Sequence, residues 1–484
     1  MNYLLSLGRY EIVSFMTGFA LLSYELAGAR ILAPSIGTST YVWTSVIGII
    51  IAALSLGYWA GGALADKRNR QMDIVWLLFF SAALVVLTLV MSDIVLKMVS
   101  TKIDDPRMQG LASSLLLFAP ASFLLGSISP YLVKLRVRSL ETTGRSVASL
   151  SALNSIGGII GTFATGFLFF GYIGSREILV LLAIILVAVS WFLNARENFL
   201  KRLFTTFILI TVSLMFWLPT KVSGVVLTID TADATYQILD VNYLGAPVRV
   251  LTMGPGGYQS GVFKNGRKEL VFGYSRKIAE IIDTIEQKDS MLILGGGSFT
   301  MPEYFARKYP EMSIDIVEID PELEKIAEEF FNYTSLPNIS VINRDARAFL
   351  NNNAKLYDLI VVDVFSDIST PFTLTTKQYV ERLGASLKPE GVVLVNVIGS
   401  ASENCKTLLA GLHSTYRKTF PHAAVFPLKA YDLMAYQNII LAYSKEELDL
   451  DKVLGQSSVE LSSDLVFTDS FAPIERLHHQ CASA

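Results

Sequence analysis

Seven apolar stretches in the first 220 residues constrain this chain more than any other feature; they run roughly over 11–33, 41–65, 74–96, 110–133, 147–172, 177–194 and 200–219. Each is long enough to cross the hydrocarbon core of a bilayer, which takes about 20 residues of helix. A segment in lipid must satisfy its own backbone hydrogen bonds, so the expected architecture for 1–220 is an α-helical transmembrane bundle of about seven spans. The first stretch is too long for a cleavable signal peptide, and further spans follow it. The chain's apolar excess, 52% hydrophobic against 17% charged residues, is concentrated here.

Gly57 with Gly61 and Gly157 with Gly161 repeat at a spacing that lets helices approach closely. Within the first span, SYELAGARILAP carries Glu25 and Arg30, where an uncompensated charge is costly. They are expected either to pair or bond backbone inside the bundle, or to line a polar site on a substrate path. Asn154, in SALNSIGG, is expected to hydrogen-bond between helices. Lysines and arginines collect at Lys67, Arg68 and Arg70, at Lys134, Arg136, Arg138 and Arg145, and at Arg196, Lys201 and Arg202. Basic loops stay on the cytoplasmic side, which puts the amino terminus inside and, with seven spans, everything after residue 220 outside the cytoplasm.

From about residue 221 the pattern changes to strands. VVLTIDTADATYQILDVNY and PVRVLTM read as hairpin strands with Gly245 at the turn, a small antiparallel β subdomain over 221–275. Residues 276–484 then alternate strands and helices. In MLILGGGSFTMPEYFARKYPEMSIDIVEID, residues 291–320, an apolar strand meets a triple-glycine turn, then a helix and a second strand ending at Glu318. Glycines at 295, 296 and 297 let the turn backbone approach a ligand, and Glu318 arrives one βαβ unit later, where a carboxylate can take both hydroxyls of a ribose. The spacing differs from GxGxxG and no Walker lysine follows, which suits a nucleoside without a pyrophosphate better than a dinucleotide. SIDIVEI, ISVINRD, YDLIVVDVF and GVVLVNVI supply further strands of a doubly wound, largely parallel sheet. Carboxylates fall at or after strand ends at Glu318, Asp345, Asp363 and Asp367. A lone aspartate there is often only a helix cap; an ordered set around one crevice points to ligand binding.

A net charge of −3 without basic tails gives no reason to expect a nucleic-acid partner. Cys405 and Cys481 are too few for a metal site, and no metal is expected; a disulfide between them is compatible with the sequence.

The order GGG, VEID, RDA, YDLIVVDVFSD and LKPEGVVLVNV resembles the spermidine synthase (polyamine aminopropyltransferase) family, a branch of the α/β class I methyltransferase-like (Rossmann-like) fold. The amino-terminal half and TDSFAPIERL are similar to fused multi-span membrane proteins of that kind. The resemblance implies that Gly295, Gly296 and Gly297 form the turn against the adenosyl group, that Glu318 holds the ribose hydroxyls and that Asp345 meets the adenine amino group. It implies that Asp363 orients or deprotonates the attacking amine, with Gln259, Tyr274 and Asp367 near the acceptor. The implied donor is S-adenosylmethionine or decarboxylated S-adenosylmethionine, and the implied acceptor a small amine, either a polyamine or a membrane-delivered one. A homodimer is compatible with the resemblance.

The chain departs from the family at the acceptor side. Ser298 stands where an acidic residue usually follows the glycines, Ser260 to Phe263 replace an Asp-Glu pair, and Ser275 with Arg276 follow the tyrosine. DISTPFTLTT replaces the DPxGPA loop. The reading is therefore a membrane-bound transferase alkylating an amine-type acceptor, multi-pass in the cell inner membrane. Loop charges favour the outside for its second half, and the cytoplasmic origin of the donor favours the inside. The alternative is a non-catalytic sensor or transport-coupled module that binds a nucleoside or polyamine.

Overall fold

The computed structural model describes residues 8–103, 105–137, 143–194, 198–217, 225–254, 257–365, 369–403, 405–429, 432–447, 456 and 461–482. The chain divides into two compact units, Met1–Val222 with Ile229–Thr235, and Ser223–Thr228 with Tyr236–Ala484.

In the first unit the apolar stretches are helical: α1 (Arg9–Ile36), α2 (Thr40–Arg68), α3 (Gln71–Lys102), α4 (Pro106–Leu117), α5 (Ala119–Arg136), α6 (Thr143–Phe163), α7 (Ser175–Leu193) and α8 (Phe199–Trp217). Among the described residues five helices are long and apolar enough to cross a bilayer, or six if α4 and α5 form one span. The stretch at 110–133 is broken, since α4 and α5 meet at 53°. Pro120 lies in the first turn of α5, where its missing N–H costs nothing, and so starts a new helix after Phe118. The Leu117 carbonyl at the break accepts from Thr88 Oγ1 at 2.8 Å and from the Tyr24 hydroxyl at 3.2 Å. The stretch at 147–172 also changes character, passing from α6 into a π-helical turn over Ala164–Leu168.

Glycines set the closest helix contacts. A Cβ on Gly57 or Gly61 of α2 would strike the carbonyls of Phe123 and Ser127 in α5; one on Gly157 or Gly161 of α6 would strike those of Phe15 and Phe19 in α1. Backbone meets backbone at both crossings. Asn154 takes part through its own carbonyl, which a Cβ on Gly18 would strike. The Arg30 guanidinium bonds the carbonyls of Thr231 and Ala232 and stacks on the Phe170 ring at 3.9 Å.

The described strands form two sheets. The smaller has the order β1 (Val225–Asp230), β2 (Thr235–Tyr243), β3 (Ala246–Thr252), β4 (Ser260–Phe263), and β2, β3 and β4 pair antiparallel. Leu244 and Gly245, both with positive φ (50° and 82°), make the two-residue turn between β2 and β3. Next come α9 (Gly273–Thr284), β5 (Ser290–Leu294), α10 (Thr300–Lys308), β6 (Ser313–Glu318), α11 (Leu323–Phe330), β7 (Ile339–Asn343), α12 (Ala346–Asn352) and β8 (Tyr357–Val362). The chain continues through α13 (Lys377–Ala385), β9 (Leu387–Gly399), α14 (Lys406–Tyr416), β10 (His422–Pro427), β11 (Gln437–Ser444) and α15 (Ile474–Ala482).

The larger sheet runs β10-β11-β9-β8-β5-β6-β7. β9, β8, β5, β6 and β7 are parallel neighbours, and β11 runs antiparallel between β10 and β9. This is a Rossmann-like α/β sheet of the methyltransferase type. Met291 to Leu294 of β5 are fully buried, as the continuous apolar run requires of a central parallel strand. The chain leaves β5 towards β6 on one side and later returns to β8 on the other, so the two connections diverge at the carboxyl ends of β5 and β8. That switch point is where open α/β sheets bind ligands.

Cys405 and Cys481 form a disulfide that fastens α15 to the start of α14 across 76 residues of sequence. Closing a loop of that length removes unfolded-state entropy worth about 4 kcal/mol. Cys481→Ser is expected to lower the stability of the second unit by up to that amount, and reductant is expected to destabilise the parent but not the variant. Equal urea midpoints by pulse proteolysis would contradict a stabilising bridge.

Candidate functional site

The glycine turn is braced from both sides. The Gly295 N–H donates to the Val317 carbonyl of β6 at 2.9 Å, and the Asp363 N–H, just past β8, donates to the Leu294 carbonyl at 3.0 Å. Gly295 has φ 96°, and a Cβ there would strike the Asp363 carbonyl. Only glycine combines that conformation with that contact. At Gly296 a Cβ would lie 2.8 Å from the Phe299 ring and 3.3 Å from Glu318 Oε2; Gly297 has φ 54° and faces Ser260 Oγ. Three consecutive residues without side chains thus leave a cradle of bare backbone at the end of β5.

Glu318 closes β6 and is 8% exposed. Its Oε2 accepts from the Gly296 N–H at 2.7 Å and its Oε1 from the Asp320 N–H at 3.0 Å. Burial pushes its carboxyl up from the ordinary range, opposed by those N–H donors. Each oxygen keeps a second lone pair able to accept a hydroxyl. Asp345 begins α12, and its Oδ1 accepts from the Ala348 N–H at 2.8 Å, so it caps that helix while its side chain remains exposed.

Asp363 lies across the turn from Glu318, at the end of β8. Its Oδ1 accepts from Asn396 Nδ2 of β9 at 2.8 Å, and the Tyr274 hydroxyl lies beside its carboxylate. Tyr274, in the first turn of α9, reaches the Gln259 backbone carbonyl at 2.7 Å. Gln259 therefore joins the cluster through its main chain. Burial pushes the Asp363 carboxyl up to about 6, with Asn396 and Tyr274 opposing, and burial beside Asp363 pushes the Tyr274 phenol up as well. A carboxyl held near neutrality is suited to taking a proton from an amine. Asp367 lies outside the described residues.

The residues that replace family acids have structural partners. The Ser298 N–H donates to Ser260 Oγ at 2.8 Å, tying the glycine turn to β4. Ser275 Oγ donates to the Phe272 carbonyl at 2.9 Å, and Arg276 Nη1 to the carbonyls of Leu270 and Val271 at 3.0 and 2.5 Å. Sequence reasoning passed over two members of the cluster. Asn396 is 2% exposed, and its Oδ1 accepts from Asn438 Nδ2 of β11 at 3.0 Å. A polar amide inside the apolar run VVLVNVIG was the available signal for Asn396. Asn438 gave none, because the strand carrying it was not anticipated.

Residues 271–449 match the model of the spermine/spermidine synthase domain. A probable polyamine aminopropyl transferase of Bifidobacterium longum is 35% identical over 165 residues, covering 34% of this chain and 36% of that protein. Putrescine N-methyltransferase 2 of Nicotiana attenuata is 29% identical over 157 residues, covering 29% of this chain and 42% of that protein. The structure of a probable spermidine synthase from Corynebacterium glutamicum shares 24% identity over 47% of this chain and 82% of that one, with a TM-score of 0.40. The chain thus spans well under half the length of these two curated relatives. The matched segment takes in the glycine turn, Glu318, Asp345, Asp363, Asn396 and Asn438, and residues 271–449 therefore belong to the spermine/spermidine synthase domain family.

Proposed function

We propose that this protein is a membrane-bound transferase that alkylates an amine with an adenosyl-sulfonium donor. The observation that carries the reading is the placement of Asp363 beside the bare glycine cradle, with Glu318 on the opposite side of the turn. The cradle and Glu318 suit the adenosyl moiety, and Asp345 at the head of α12 is assigned to the adenine. The donor supplies an activated carbon-sulfur bond, so the protein's main task is to align the nucleophile. The amine nitrogen forms a bond to that carbon while the carbon-sulfur bond breaks, its electron pair passing to sulfur. The proton lost from the amine goes to Asp363 and from there to water. Tyr274 and the Gln259 region flank the acceptor, and Asp367 is assigned to the same side.

Similarity to both an aminopropyl transferase and a putrescine N-methyltransferase supports alkyl transfer to amines and leaves both donor forms in play. It does not favour a module that only binds. Membrane insertion is supported by the five long apolar helices and by large apolar side chains facing outward, such as Trp59, 76% exposed, and Phe167, 77%.

Titration calorimetry of the full chain in detergent is expected to show binding of S-adenosylmethionine, its decarboxylated form, or methylthioadenosine. Absence of binding by all three would sink the reading. Asp363→Asn is expected to lower turnover at least 100-fold, within the usual ~10²–10⁴ range for a general base, while donor affinity stays within a factor of two. Loss of donor affinity in parallel with turnover would assign Asp363 to the donor instead.

The sign of the pH effect follows from the raised carboxyl. An Asp that titrates near 3.8 when unfolded and at about 6 when folded makes the native state bind the extra proton. Stability is thus fully present below pH 4, falls as pH rises through 6, and levels off above. Asp363→Asn is expected to match the parent at pH 4 and to exceed it by at most about 3 kcal/mol above pH 6.5. Thermal midpoints across that range check this, and a pH-independent difference would contradict it. Catalytic rate should rise through the same interval as the base ionises.

The Cys405–Cys481 disulfide supports an oxidising, outer face for the α/β unit. An alkaline phosphatase reporter fused after residue 484 is then expected to be active; an inactive fusion, with an active cytoplasmic reporter at the same point, would place the unit inside.

A further inference from the structure

We propose that Asn396, held by Asn438, is a positioning residue that fixes Asp363 as the proton acceptor of the site. The inference rests on the transferase reading only for the reaction served. The arrangement itself is carried by the hydrogen-bond pattern.

Asparagine's amide is ambiguous, because its oxygen and nitrogen can exchange places by a half-turn. Here the carboxylate removes the ambiguity. An ionised Asp363 offers only acceptors, so Asn396 turns its Nδ2 towards Asp363 Oδ1 at 2.8 Å, and its own oxygen is left to accept from Asn438 Nδ2 at 3.0 Å. Asn396 cannot rotate without placing two donors, or two acceptors, face to face. It is also nearly inaccessible to water, and an unpaired amide there is costly. The backbone makes the chain of contacts rigid. β8 pairs parallel with β9, and β9 antiparallel with β11, where Asn396 sits opposite Ile440 and Asn438 opposite Ile398.

Two consequences follow for Asp363. Oδ1 always receives a donor from Asn396, so the ionised carboxylate is favoured and its plane is fixed. Tyr274 serves the other protonation state. Its hydroxyl has a single proton and two acceptors within reach, Asp363 and the Gln259 carbonyl at 2.7 Å. It can donate to the ionised carboxylate before transfer and to the Gln259 carbonyl once Asp363 holds the amine's proton, so neither state strands a donor. Asn396 plays no such double part, because turning it would set its Oδ1 against the carboxylate and its Nδ2 against that of Asn438. The roles are therefore separate, with Asn396 setting orientation and Tyr274 following the proton.

The test uses the full chain with Asn396→Ala and Asn438→Ala. The titration midpoint of Asp363 is read from ¹³C-carboxyl resonances, assigned by their loss in Asp363→Asn, and donor affinity is read by calorimetry. Asn396→Ala is expected to raise the midpoint by half a unit or more, to move the acidic limb of the kcat/KM profile with it, and to lower kcat about 10- to 100-fold, as loss of a hydrogen bond to a charged group implies. Donor affinity should stay within twofold. Asn438→Ala, which leaves every Asp363 contact in place but frees the Asn396 amide to turn, is expected to shift the midpoint in the same direction by less. An unmoved midpoint in both variants overturns the proposal, whatever happens to turnover. A moved midpoint in a parent protein that transfers nothing upholds the positioning role and removes the transferase reading. If Asn396→Ala does not fold, Asn438→Ala alone decides the matter by the same midpoint.

Discussion

The contact between Gly295 and Asp363 is the constraint on which the site depends. A left-handed residue at the end of β5 packs its α-carbon against the carbonyl of the first residue after β8, and hydrogen bonds from both neighbouring connections hold it there. Any side chain would force the two connections apart. With none, they meet at the switch point of the sheet, and Asp363 is delivered to the edge of the cradle by backbone geometry rather than by a flexible loop. Glu318 is fixed reciprocally, because the Gly296 N–H that opens the cradle is also the donor that orients its carboxylate.

That compactness has an electrostatic consequence. Glu318 and Asp363 are both carboxyls removed from water, and both are pushed up by burial, yet their compensation differs. Glu318 is opposed by backbone N–H groups, which cannot leave. Asp363 is opposed by side chains, one of which, Tyr274, has a second acceptor available. The first environment suits a permanent acceptor of ligand hydroxyls, and the second a group that changes protonation state. Serine and arginine at the positions of the family's acids are absorbed into local hydrogen bonds around β4 and α9. They add no negative charge to that side of the site.

The apolar helices of the first half were legible because a bilayer-length hydrophobic run has one structural solution, and small residues at four-residue spacing marked the two tight crossings. The break at Phe118 was less visible, since Pro120 reads equally well as a kink or as a new helix start. In the second half, strands from β5 to β9 were readable from apolar runs, with carboxylates at or after the ends of β6, β7 and β8. β10 and β11 were not, because HAAVFP follows α14 and QNIILAYS follows β10 with no glycine turn to mark either strand. Asn438 was lost with β11.

By itself the sequence determined the order of the parts, the glycine cradle and the acids at or after strand ends, because these follow from local conformational freedom and from periodicities of a few residues. The tertiary structure alone decided which of those acids face one another and what holds them. Asp345 became a helix cap, Gln259 acted through its carbonyl, and Asn396 and Asn438 joined Asp363 from strands adjacent in the sheet but about 40 residues apart in the chain. Such contacts arise from sheet order and register, which are set by the packing of the whole core and leave no mark at the individual residues.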